Sequence, residues 1–419
     1  MRAHRGFGIC IALLLVLSLG LTACGGGQPA ASPSPSTSAS KAAQPSPSSS
    51  QSTAPSASAS TSASTKAPAG DPIKFGALVP FTGRYAPMGE PSKKAIDLTE
   101  EYINKQGGIA GRPLKMIVYD DEADQAKAAQ LADRLINQDK VVAIIGPIPT
   151  ANAQAVTEIA ERAKVIDIYQ NPTSSIWVNK KYIFQATAND KLEIARMIQI
   201  MKKLGKQNVG ILHDANPYGT TAAGVLQEEG GKAGLKFTGV EKYGGEDRDM
   251  SPQLTKLKNA GSDVLAIIGV NPAPTIATKQ TKQLGINVPI ITTSASNNPQ
   301  FIELAGDAAE GVYSVSFFNP DAPNPALKIL AEAHRAKYNQ DINSYSVNSW
   351  DAIMLIKAGL DKAGGKTDGD SIAAALESLT NYVGAAGTRN LSKTDHNGMG
   401  MDAVWPQVVK GGKWVLVPE

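Results

Sequence analysis

Between Asp71 and Glu419 short apolar runs alternate with longer stretches of helical spacing, and this order restricts the chain to parallel sheets covered by helices on both faces. Ile73 to Val79 reads as a buried strand, Ser92 to Gln106 as a helix stopped at Gly107-Gly108, Leu114 to Tyr119 as a strand and Asp124 to Gln138 as a helix. Val141 to Ile145, Ala151 to Lys164 and Val165 to Tyr169 repeat the alternation. A second series follows Asn189. Its helices are Lys191 to Leu204, Gly219 to Lys232, Ser251 to Ala260 and Pro274 to Leu284. Its strands are Asn208 to His213, Lys236 to Tyr243, Val264 to Ile268, Val288 to Ile291 and Gly311 to Phe318. Helices Pro325 to Asn339 and Tyr345 to Ala363 come next. The tail leaves this order, because Ala403 to Val409 and Trp414 to Val417 flank Lys410-Gly411-Gly412-Lys413, a hairpin signal. At 349 residues this region exceeds one simple core and predicts two doubly wound α/β lobes.

What precedes it is of another kind. Residues 1–23 place Arg2 and Arg5 before an apolar run from Ile9 to Leu21, the pattern of an export signal. Leu21-Thr22-Ala23-Cys24-Gly25 resembles a bacterial lipobox, which makes Cys24 the lipidated first residue of the mature protein and the lipid its only membrane attachment. From Gln28 to Gly70, 37 of 43 residues are Ser, Ala, Pro or Thr, types that build no core. Residues 24–70 are therefore expected to form a disordered tether, about 35 to 40 Å from end to end.

Composition removes several functions. With 41 Lys and Arg against 38 Asp and Glu there is no basic surplus to bind nucleic acid. Two cysteines, of which Cys10 leaves with the signal, exclude a disulfide framework. No G-x-S-x-G, G-x-G-x-x-G or H-E-x-x-H occurs, and Gly365-Lys366-Thr367 lacks the earlier glycine of a phosphate loop, position 360 being Leu360. His4, His213, His334 and His396 are scattered without ligand spacing, so no metal or cofactor is expected. Asp120-Asp121-Glu122 reads as helix-capping acid. No nucleophile, base and metal set assembles, which argues against an enzyme.

The remaining candidates are hydroxyl, amide and aromatic residues at the carboxyl ends of strands, where doubly wound sheets bind ligands. Thr150 follows Gly146-Pro147-Ile148-Pro149 as an expected N-cap, offering a hydroxyl and free amides to a carboxylate. Tyr169-Gln170-Asn171-Pro172-Thr173-Ser174 ends the next strand, and His213 to Gly219 and Gly269-Val270-Asn271-Pro272 hold equivalent places in the second series.

Three segments carry a family resemblance: Gly76-Ala77-Leu78-Val79-Pro80-Phe81-Thr82-Gly83, Ile103 through Arg112, and Val142 through Pro147. Asp214 to Gly219 and Ala305-Gly306-Asp307-Ala308-Ala309-Glu310-Gly311 extend it. In order and spacing they resemble the type I periplasmic binding proteins of the branched-chain amino acid group, the extracytoplasmic receptors of ABC importers. The resemblance implies three crossovers, near 188, 317 and 387. Lobe one is then 71–188 plus 317–386, and lobe two is 189–316 plus 387–419. It implies that Thr150 holds a ligand carboxylate, that Asn171 and Thr173 add polar contacts, and that Tyr218 closes over the ligand from the second lobe. Tyr85 and Met88 would shape the side-chain pocket. The acid that meets a ligand ammonium in this group is replaced here by Ser294, Asn271 stands where an aromatic is common, and Asp190 is the expected substitute carboxylate.

The implied function is capture of a small carboxylate-bearing solute by hinge closure and its delivery to a membrane permease. An aliphatic or aromatic amino acid is the leading solute. The alternatives are a non-amino organic acid, or a sensor acting through a partner protein.

Overall fold

The computed structural model describes residues 67–418. The export signal, Cys24 and most of the expected tether lie outside the described residues.

The first sheet contains β1 (Ile73–Leu78), β2 (Leu114–Tyr119), β3 (Ala143–Ile145), β4 (Ile166–Tyr169) and β5 (Ile183–Gln185). They are parallel throughout, in the order β2-β1-β3-β4-β5. Between them run α1 (Ala86–Lys105), α2 (Gln125–Asn137) and α3 (Thr150–Ala163). Side-chain alternation divides the packing. Phe75, Ala77, Ala143 and Ile145 enter the main core, while Leu78 and Ile144 meet Ala128, Leu135 and Val156 on the opposite face. Such strands are buried on both faces, which is why they read as unbroken apolar runs.

After α4 (Asp190–Lys203) the chain enters a second sheet with β6 (Asn208–Asp214), α5 (Pro217–Lys232), β7 (Lys236–Tyr243), α6 (Ser251–Asn259) and β8 (Val264–Ile268). It continues through α7 (Ala273–Gln283), β9 (Ile290–Thr292), α8 (Pro299–Ala305) and β10 (Tyr313–Ser316). Helices α9 (Pro325–Tyr338), α10 (Ser344–Lys362) and α11 (Gly369–Glu377) return to the first unit, where α10 packs along α1. A small ribbon of β11 (Tyr382–Val383) and β12 (Thr388–Arg389) precedes β13 (Trp405–Lys410) and β14 (Lys413–Leu416). The second sheet runs β14-β13-β10-β9-β8-β6-β7 and is parallel except at β13 and β14, the hairpin expected at the tail.

Two local readings need correction. Helix α2 is capped by Asp124, which accepts from Lys127 N at 2.7 Å, and not by the 120–122 acids. Asp121 is buried and instead accepts from Asn152 Nδ2 at 2.9 Å, joining the end of β2 to α3. The last crossover lies beyond 387. Arg389 donates to the Gln185, Ala186 and Asn397 carbonyls, and His396 stacks on Phe184 with ring centroids 4.1 Å apart. Residues 388–399 thus stay on the first sheet's edge, and the chain passes to the second sheet between 399 and 405.

Candidate functional site

In each sheet the strand order reverses direction once, between β1 and β3 in the first and between β6 and β8 in the second. Ligand crevices in doubly wound sheets form outside the carboxyl ends of strands at such reversals. A cavity of about 240 Å³ lies there, and both sheets build it. The first supplies Tyr85 and Met88 beyond β1, Thr150 beyond β3, and Gln170 and Asn171 beyond β4. The second supplies Tyr218 beyond β6, Val270 beyond β8, Ser294 beyond β9 and Phe317 beyond β10, and Tyr345 and Asn348 enter from α10. Gly146 allows the first reversal: its φ is 88° and a Cβ there would sit 2.2 Å from the Leu78 carbonyl oxygen.

Thr150 is the first residue of α3, and Pro149 occupies the cap position with no side-chain hydrogen bond. The Thr150 hydroxyl is therefore not spent on capping. It lies 3.2 Å from the Thr173 hydroxyl, and the first backbone bond of the helix runs from Ala153 N to Pro149 O at 2.9 Å. The amides of residues 150–152 precede that bond, so the cavity receives a helix N-terminus with its unspent donors and positive potential, the local chemistry of a carboxylate seat.

Behind the wall on the second sheet's side, outside the cavity lining, lies an acid the sequence reading missed. Glu193, in the first turn of α4, is fully buried, and its Oε1 accepts from Ser294 N at 2.8 Å and from Ser294 Oγ at 2.6 Å. Its Oε2 and the Tyr218 Oη form no well-aligned hydrogen bond among the described residues, although the phenol stands close enough to Glu193 to favour its charged form. Burial pushes the Glu193 carboxyl up to about 7, with the Ser294 donors pulling the other way. Burial, then the Glu193 charge, also holds the Tyr218 phenol far above its usual value.

Arg84 spans the two units at the cavity's edge. It stands in a short turn after β1, yet its Nη2 donates to Asp214 Oδ2 at 3.3 Å at the end of β6 and to the Val270 carbonyl at 3.1 Å. Its Nη1 lies 3.7 Å from Glu246, and the guanidinium fills the space where a Cβ on Gly245 would stand.

Residues 72–413 match the family described as periplasmic binding protein. The chain belongs to that family. It is an extracytoplasmic solute-binding receptor and not an enzyme. A leucine-, isoleucine-, valine-, threonine- and alanine-binding protein of Pseudomonas aeruginosa is 28% identical over 318 residues, covering 74% of this chain and 84% of that one. A Leu/Ile/Val/Thr-binding protein of Salmonella typhimurium is 24% identical, over 70% of this chain and 80% of its own length. Among solved structures, a type 1 periplasmic binding protein from Bordetella pertussis superposes with a TM-score of 0.77 at 25% identity, over 83% of this chain and 100% of its own. A leucine-binding protein from Thermotoga maritima gives 0.77 at 24%, over 83% and 98%.

Of the residues singled out in this binding protein's sequence, Tyr85, Met88, Thr150, Asn171, Tyr218 and Ser294 meet in the cavity wall. Thr173 stands behind Thr150. Asp190 does not reach the cavity: its carboxylate accepts from Ser174 Oγ at 2.6 Å, Ser174 N at 3.3 Å and Lys191 N at 3.0 Å, so it fastens the Thr173-Ser174 loop to α4. Asn271 is likewise turned away. It donates to Asn298 Oδ1 at 3.2 Å and accepts from Thr275 Oγ1 at 3.0 Å, tying β8 to α7 and α8.

The signal for Glu193 in the sequence was Ser294 itself. A serine where a charge is expected asks which buried acid it holds, and Glu193 lies one turn beyond Asp190 on the same face of α4.

Proposed function

We propose that this receptor captures a free α-amino acid, its carboxylate on Thr150 and the amides of α3 and its ammonium between Glu193, Ser294 and Tyr218. The protein then delivers it to the permease of an ABC importer. One observation carries the reading: the cavity joins an open helix N-terminus on the first sheet's side to Ser294 and Tyr218 on the second, and Ser294 in turn holds the buried carboxylate of Glu193 behind the wall. A zwitterion satisfies both, whereas an organic acid without an amine would leave Glu193 buried without a cation. The names of the two relatives, which give leucine, isoleucine, valine and threonine as ligands, support this class. Cys24 is read as the lipid anchor on the outer face of the cell membrane, or on its periplasmic side, with the Ser/Ala/Pro segment as tether.

Titration of the wild-type protein and of Glu193→Gln with the twenty common amino acids tests the proposal. At least one should bind the wild type at micromolar or tighter affinity, and the substitution should weaken it by about a hundredfold, the worth of a buried charged hydrogen bond. Equal affinity for the two proteins would remove Glu193 from the site.

A further inference from the structure

We infer that the amino acid taken by this cavity carries a polar group on its side chain, a carboxamide or hydroxyl that both donates and accepts hydrogen bonds. The inference rests on the amino-acid reading above and concerns the first-lobe wall. Gln170 and Asn348 both line the cavity there and are both more than nine-tenths buried. One end of the Gln170 amide is fixed, its Oε1 lying 3.4 Å from Ser92 Oγ on α1 and 3.1 Å from Ser349 Oγ on α10. The other end, Nε2, has no partner among the described residues. Asn348 is next to Ser349 in α10, and its Oδ1 is buried without a partner as well.

The Ser349 bond fixes the Gln170 amide, and the two lining side chains each keep one polar atom unspent, a donor on Gln170 and an acceptor on Asn348. An aliphatic side chain laid against them would keep both out of water without replacing their hydrogen bonds. Such a site rejects analogues that lack the matching group far more strongly than an apolar pocket rejects an added hydroxyl. Met88, Ile148 and Phe317 in the same lining offer apolar contact to the stem of such a side chain.

Isosteric pairs isolate the effect. The protein, freed of co-purified solute by unfolding and refolding, is titrated calorimetrically with asparagine against leucine and threonine against valine, and with glutamine. In at least one pair the polar member should bind about a hundredfold or more tightly than its aliphatic isostere, and Asn348→Leu should reduce that preference to below tenfold. Gln170→Met, with its similar volume, should do the same if Asn348→Leu does not fold. Leucine binding within tenfold of asparagine together with valine within tenfold of threonine overturns the inference while leaving the amino-acid reading intact. Binding of no amino acid at all overturns both.

Discussion

Arg84 bears on how the receptor holds its closed form. The guanidinium leaves the first unit to reach a nearly buried carboxylate and a carbonyl of the second, at 3.3 and 3.1 Å. Its third contact, Glu246, is largely exposed and adds little. A hydrogen bond between charged groups contributes about 1.5 to 3 kcal/mol when its partners are screened from water, so the Asp214 contact alone corresponds to roughly ten- to hundredfold in the closing equilibrium. Arg84→Met keeps the stem that packs beside Tyr85 and removes the charge. Stopped-flow tyrosine and tryptophan fluorescence should show dissociation of the bound amino acid accelerated by about ten- to hundredfold with association changed by less than threefold. The latch forms after encounter, so its loss falls on release. A cycle with Asp214→Asn should return a coupling above about 1 kcal/mol. Unchanged dissociation in Arg84→Met, or additive effects in the cycle, would refute a closure role for this contact.

Other consequences follow from the buried acids. Glu193 is pushed up to about 7 in the ligand-free protein, so affinity for a zwitterion should be full above pH 7 and fall as pH drops below it. Calorimetry at pH 6 in buffers of different ionisation enthalpy should register release of most of one proton on binding. The same raised value means this group's contribution to ligand-free stability is present below about pH 4.5 and is lost as pH rises through 7. Glu193→Gln should flatten that dependence by about 3 kcal/mol in denaturant titrations. Asp167 is fully buried in β4 with both carboxyl oxygens unpartnered among the described residues, and burial alone raises it well above the usual range. Asp167→Val should raise the melting temperature at neutral pH, by the equivalent of about 1 to 3 kcal/mol. Arg389 is fully buried, with three carbonyl partners and Asp351 at 3.9 Å. Arg389→Met leaves the Asp351 charge buried and should destabilise the protein by about 3 to 5 kcal/mol in chemical denaturation.

Parallel strands were legible because burial on both faces makes them apolar without interruption, as in Val264–Ile268, where the expected and observed limits coincide. Strand β5 escaped because three residues ending in Gln185 give no period, and the edge it forms is completed by Arg389 and Asn397 from far along the chain. Chain order likewise hid the third crossover, since the contacts that keep 388–399 on the first sheet span about two hundred residues.

At the cavity, strand ends pointed to the right loops, but a residue's position in a loop does not tell whether its side chain turns inward. Asp190 and Asn271 sit where ligand contacts were expected and spend their polar atoms on Ser174, Asn298 and Thr275. Glu193 carried the ordinary look of an acid in a helix's first turn. Its role emerges only when Ser294, a hundred residues later, is seen holding it.

The central claim is that one cavity presents a carboxylate seat and a cation seat together. Its most direct test is calorimetric titration of the solute-free protein with each amino acid that binds and with the corresponding 2-oxo acid, which differs only in lacking the amine. The account predicts micromolar or tighter binding of the amino acid and at least hundredfold weaker binding of the oxo acid. Equal or tighter binding of the oxo acid would contradict it and assign the cavity to organic acids.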